Sequence, residues 1–171
     1  LFATWCGPCQ KELADVQSDL ESELDDEDLT QEERKEIIES YQDNIDEIKE
    51  RIKQELGFTV NVGIGSNKLL AKMASDFEKP DKVHTLFKDE IADKLWPLPV
   101  GELFSVGSAT KDKLIKGGIN TIGELAKADL GYIQRVIGQK WGEQLYQYAN
   151  GIDDSPVLER AEDAKGYSNS T

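Results

Sequence analysis

The run Phe58-Thr59-Val60-Asn61-Val62-Gly63-Ile64 passes at once into Gly65 and then into Ser66-Asn67-Lys68-Leu69-Leu70-Ala71-Lys72-Met73-Ala74-Ser75-Asp76. A short β-rich run, a glycine turn and an amphipathic stretch with a good capping residue predict a strand, a tight turn and a helix, with Ser66 or Asn67 as cap. Lys68, Lys72 and Lys79 fall within about three turns of the helix opening. A helix N-terminus with lysines nearby suits an anion, and phosphate is the commonest biological one. The same three lysines would equally serve an ordinary solvated helix face.

The distribution of charge divides the chain. Residues 1–59 hold 6 Lys or Arg against 18 Asp or Glu, whereas residues 60–171 hold 14 against 16, so nearly all of the net charge of −14 lies in the first third. An acidic surface of that kind repels nucleic acid, while the near-neutral remainder has room for local basic patches. A chain of 171 residues suits one domain or two small ones. It offers no run of about 18 apolar residues and no signal-peptide pattern, so no membrane partner and a cytoplasmic location are expected. The abrupt start without methionine reads as a piece of something longer.

The first segment, Leu1-Phe2-Ala3-Thr4-Trp5-Cys6-Gly7-Pro8-Cys9-Gln10-Lys11-Glu12-Leu13, resembles the active-site segment of thioredoxin-like oxidoreductases over about 20 residues. Two residues between cysteines let the first thiolate sit at a helix N-terminus and the second resolve a mixed disulfide. Cys6 and Cys9 are therefore the candidate redox pair. No counterpart of that fold's sheet or cis-proline loop follows. Leu13, Val16, Leu20 and Leu24 then mark one amphipathic helix. After the acid run Asp25-Asp26-Glu27-Asp28, Thr30 and Glu33 form a capping box. Ile37, Tyr41, Ile45, Ile48, Ile52 and Leu56 continue as a second stripe that ends at Gly57. Two such stripes predict an antiparallel helical hairpin.

From Ile48 onward the chain resembles part of a Y-family (lesion-bypass) DNA polymerase, the end of the palm and the whole thumb. Ile48–Gly57 matches a palm helix, Phe58–Ile64 a strand, Val83–Phe87 a second strand, Asp89–Trp96 a short helix, and Pro97-Leu98-Pro99-Val100 the connector into the thumb. In that family the lysine before the proline contacts the triphosphate of the incoming nucleotide, which by position is Lys79. Leu103-Phe104-Ser105-Val106-Gly107-Ser108-Ala109-Thr110-Lys111-Asp112-Lys113-Leu114 resembles a helix-hairpin-helix turn. There Val106, Gly107, Ser108, Ala109 and Thr110 would present backbone amides to a phosphate, with Lys111 and Lys113 adding charge. The family usually has glycine where this chain has Ser105. A second such turn is expected at Val136-Ile137-Gly138-Gln139-Lys140, with Gly138, Gln139 and Lys140 as its contact residues. Contacts of this kind grip backbone without reading sequence.

The resemblance implies a primer-template DNA partner, and magnesium as the cofactor of the parent family. Two metal ions there are held by an early aspartate and an Asp-Glu pair that precedes the Ile48–Gly57 helix. Asp46-Glu47 imitates the pair but falls inside a helical stripe, so this chain by itself is expected to bind no metal and to be inactive in nucleotidyl transfer. The expected fold is α+β and predominantly helical. Its parts are residues 1–57 (CxxC segment and acidic hairpin), 58–98 (partial palm), 99–157 (thumb) and 158–171, a loose tail in which Lys165–Thr171 resembles the start of a little-finger domain. The rival readings are a thioredoxin-like thiol-disulfide oxidoreductase and an engineered or shuffled chain with no evolved activity.

Overall fold

The computed structural model describes residues 23–24 and 29–155. Helix α1, Gln31–Ser40, opens at Thr30, whose Oγ1 accepts from the Glu33 N–H while the Glu33 carboxylate accepts from the Thr30 N–H at 2.8 Å. Both partners of the predicted capping box are thus in place. Tyr41 separates α1 from α2, Gln42–Leu56, so the expected single helix is two. Gly57 ends α2 in the left-handed region, φ 76°, as its position after the last apolar residue predicts. Of the helix expected over residues 13–24, only Glu23 and Leu24 are described. The Tyr41 hydroxyl donates to Glu23 at 2.7 Å, and Leu24 packs beside Ile37, Ile38 and Tyr41.

A strand–helix–strand unit follows: β1, Val62–Gly65, α3, Lys68–Asp76, and β2, Val83–Leu86. The two strands pair in parallel, Val62 opposite Val83 and Ile64 opposite Thr85. β1 is shorter than the run that predicts it, for Phe58–Val60 lie beyond the reach of its only partner among the described residues. Alternation along β1 explains how two layers meet there. Val62 and Ile64 pack with Ile45 and Phe87 towards α1 and α2. Gly63 faces α3 so closely that a Cβ would stand 1.9 Å from the Ala71 carbonyl oxygen. Only glycine permits that approach.

Past a 3₁₀ turn at Lys88–Glu90 and a π turn at Ile91–Leu95, where the sequence predicts a short helix, the elements among the described residues are all helical. A 3₁₀ turn at Val100–Glu102 leads to α4, Ser108–Lys116, α5, Ile122–Lys127, α6, Leu130–Ile137, and α7, Gln139–Ala149. One apolar core joins the two expected parts across residue 98. Leu69, Leu70 and Met73 of α3 share it with Leu114, Leu125, Ile133 and Leu145. Each fully buried side chain of this size contributes about 1.5–3 kcal/mol of transfer free energy. The fold is α+β, mostly helical, with a small two-stranded parallel sheet. No helix among the described residues is long and apolar enough to cross a membrane.

Candidate nucleic-acid interface

The first hairpin is built between the Val100–Glu102 turn and α4. Leu103 is buried and anchors the turn, and the Val106 N–H donates to its carbonyl at 3.0 Å. Ser105 lies in the left-handed region at φ 69°. The backbone therefore adopts a glycine conformation at the residue where the chain departs from glycine. Gly107 caps α4 without a side chain. The first intrahelical bond runs from the Lys111 N–H to the Gly107 carbonyl at 2.9 Å. The amides of Ser108, Ala109 and Thr110 thus have no partner among the described residues and sit at the positive end of the helix. Lys111 and Lys113 are exposed beside them, and the Lys111 stem lies over Gly101.

The second hairpin is tighter. Gly138 alone separates α6 from α7, at φ 96°, and no side chain caps α7. The Gly142 N–H donates to the Gly138 carbonyl at 2.8 Å, which leaves the amides of Gln139, Lys140 and Trp141 open. Lys140 is exposed, and Trp141 is 54% exposed next to it. Trp141 escapes sequence reading because it lies one turn before Leu145 on the apolar stripe and so reads as core. Val106 is half-buried under the first hairpin and Thr110 likewise, so the start of α4 presents mainly backbone and lysine, whereas the start of α7 adds the exposed Trp141 ring.

Lys79 lies apart from the hairpins, after α3 and on the strand–helix unit. Its ammonium pairs with Asp76 at 2.8 Å, and Lys72 pairs with the other oxygen of the same carboxylate. Partial burial alone would raise the Asp76 pKa. Hydrogen bonds from Lys72 and Lys79 outweigh it and hold the carboxyl below its ordinary range. Phosphate approaching Lys79 would compete with Asp76. Asp46 and Glu47 are exposed on α2, between the buried Ile45 and Ile48. No group of three His, Cys, Asp or Glu suited to a metal ion exists among the described residues. Cys6, Cys9 and the tail after Ser155 lie outside the described residues.

Two family models match the sequence. The impB/mucB/samB family matches residues 9–76, and the DNA polymerase-iota thumb domain matches residues 101–153. The first reaches through the acidic segment to Cys9, well before Ile48 where the resemblance was expected to begin, and neither supports the thioredoxin-like reading of the N-terminus. Among curated relatives, DNA polymerase IV of Clostridium acetobutylicum is 56% identical over 124 residues, covering 72% of this chain and 31% of that protein. DNA polymerase IV 1 of Bacillus subtilis is 47% identical over 126 residues, covering 73% of this chain and 30% of that protein. The chain thus spans about a third of the length of these relatives. A solved structure described as a Dbh ternary complex superposes with a TM-score of 0.59 at 26% identity, covering 68% of this chain and 35% of that one.

Proposed function

This chain resembles, over most of its length, part of a Y-family translesion DNA polymerase, and from that likeness we propose that it holds primer-template DNA by its backbone, through the two hairpins of the thumb. The observation that carries the reading is the repeated geometry. Two uncapped helix starts, at Gly107 and at Gly138, each leave three amides open beside exposed lysines, inside the segment that matches a polymerase thumb domain. Amides and lysines so arranged fit the oxygens of a phosphodiester and make no distinction between bases. Binding is weak and steeply dependent on salt, since each phosphate neutralised releases counterions.

Fluorescence anisotropy of a labelled primer-template at about 50 mM salt tests the reading. Lys111→Glu together with Lys113→Glu is expected to weaken binding and flatten its salt dependence; unaltered binding would remove the thumb as the contact surface. Lys79 is proposed to meet a nucleotide triphosphate, in place of its pairing with Asp76.

Nucleotidyl transfer by these residues alone is not part of the proposal: Asp46 and Glu47 face solvent from a helix, and among the described residues no group of three His, Cys, Asp or Glu is suited to a metal ion. Gel-resolved primer extension with magnesium is expected to show no product. Template-directed extension that disappears in Asp46→Ala or Glu47→Ala would reinstate that pair as metal ligands.

A further inference from the structure

Three consecutive residues close α7, and each is gripped from elsewhere. The Trp96 indole N–H donates to the Ala149 carbonyl at 3.1 Å. The Asn150 side-chain amide donates to the carbonyls of Tyr146 at 2.9 Å and Ala126 at 3.3 Å. The Asn67 side-chain amide donates to the Gly151 carbonyl at 2.8 Å. Asn67 has a second task, for its Oδ1 accepts from the Leu70 N–H at 2.9 Å and caps α3. Oxygen and nitrogen of one side chain thus serve different elements, and the two bonds together fix which way the amide is turned. Gly151 is buried, with φ at 72°, against Ile91 and Leu70. Its carbonyl has no other donor among the described residues.

We propose that Asn67 is the positioning residue that sets the direction of α7, and with it the second hairpin, relative to the strand–helix unit that carries Lys79. The functional part of this inference rests on the DNA-binding reading above. Helix α7 has 11 residues and so runs for about 16 Å. Gly142 packs it on Gln134 of α6 and Leu145 sits in the core, its C-terminal end is tied to α3 through Gly151, and the hairpin at Gly138 is its N-terminal end. Because α6 and α7 pack together at Gln134 and Gly142, angular freedom at Gly151 moves that pair as one, and the open amides at Gln139–Trp141 with it. With α3 capped by the same side chain, Lys79 and the hairpin are referred to one joint.

The two roles of Asn67 separate chemically. Asn67→Asp keeps an acceptor for the Leu70 N–H but has no donor for Gly151; Asn67→Ser caps well and is too short to reach. Spin labels at Lys82→Cys and Glu143→Cys, in a Cys6→Ser, Cys9→Ser background, report the separation of the two parts by pulsed dipolar spectroscopy. Both Asn67 variants are expected to keep the helical circular-dichroism signal and to broaden the distance distribution. Primer-template affinity at low salt is expected to fall several-fold, with a shallower salt slope as fewer phosphates are engaged at once. Should Asn67→Asp fail to fold, Asn67→Ser carries the test. Distance distributions and salt slopes equal to those of the parent would overturn the proposal. Broadened distances in a protein that binds no DNA even with Asn67 intact would uphold the joint and remove the DNA reading instead.

Discussion

Ser105 holds a φ of 69° at the turn into α4, where a side chain meets its own backbone and glycine does not. Ser105→Gly is therefore expected to stabilise the fold by about 0.5–1 kcal/mol, the relief of left-handed strain less the added freedom of the unfolded chain. The midpoint of urea unfolding measures it, and a lower midpoint would show that the serine is held there by something other than strain. Glu124 offers a test with pH. Its carboxylate accepts from the N–H groups of Asn120 and Thr121, which lowers its pKa from the ordinary 4.5. A carboxyl whose folded pKa is depressed adds stability above its unfolded pKa and loses it as pH falls through the folded value. Melting temperature is thus expected to fall between about pH 5 and pH 3, and to fall less in Glu124→Gln, which retains the capping box without titrating. Glu33, under its bonds from Thr30, contributes with the same sign.

Among the elements, α2 shows how sequence and structure agree and where they part. Ile45, Ile48 and Ile52 form its buried stripe, and Ile45, 1% exposed, is expected to cost about 2–5 kcal/mol when cut to alanine. Asp46→Ala and Glu47→Ala on the opposite face should change stability by no more than about 0.5 kcal/mol; thermal melts of the three variants make the comparison. That stripe, the Thr30 capping box, the Gly57 stop and the Asn67 cap are legible in the sequence because each is a local rule acting over three or four residues. The break at Tyr41 is not, since its apolar ring continues the stripe on paper. Nor is the shortening of β1, which depends on how far β2 reaches from more than 20 residues away. The open amides of the two hairpins follow from Gly107 and Gly138, and so the outline of the candidate site is readable. The Asn67–Gly151 joint spans 84 positions, and no local pattern announces it.

At the scale of the whole molecule, charge works against the proposed partner. The acidic helices α1 and α2 pack on the same body as the two hairpins, and their field extends over about a Debye length, 10 Å at 0.1 M salt. Replacing the exposed Glu32, Glu36 and Glu47 by glutamine is expected to raise primer-template affinity at low salt and leave it unchanged at high salt. An equal gain at both salt concentrations would mean that the substitutions act through contact. A smaller feature ties the first hairpin into this body. The Phe104 N–H points at the sulfur of Met73, 3.3 Å away in the core, with Met73 itself only 2% exposed. The sequence contains a single methionine. The methyl group of Met73, isotopically labelled, therefore gives a nuclear magnetic resonance line whose shift registers whether the Phe104 loop has moved from its seat on α3.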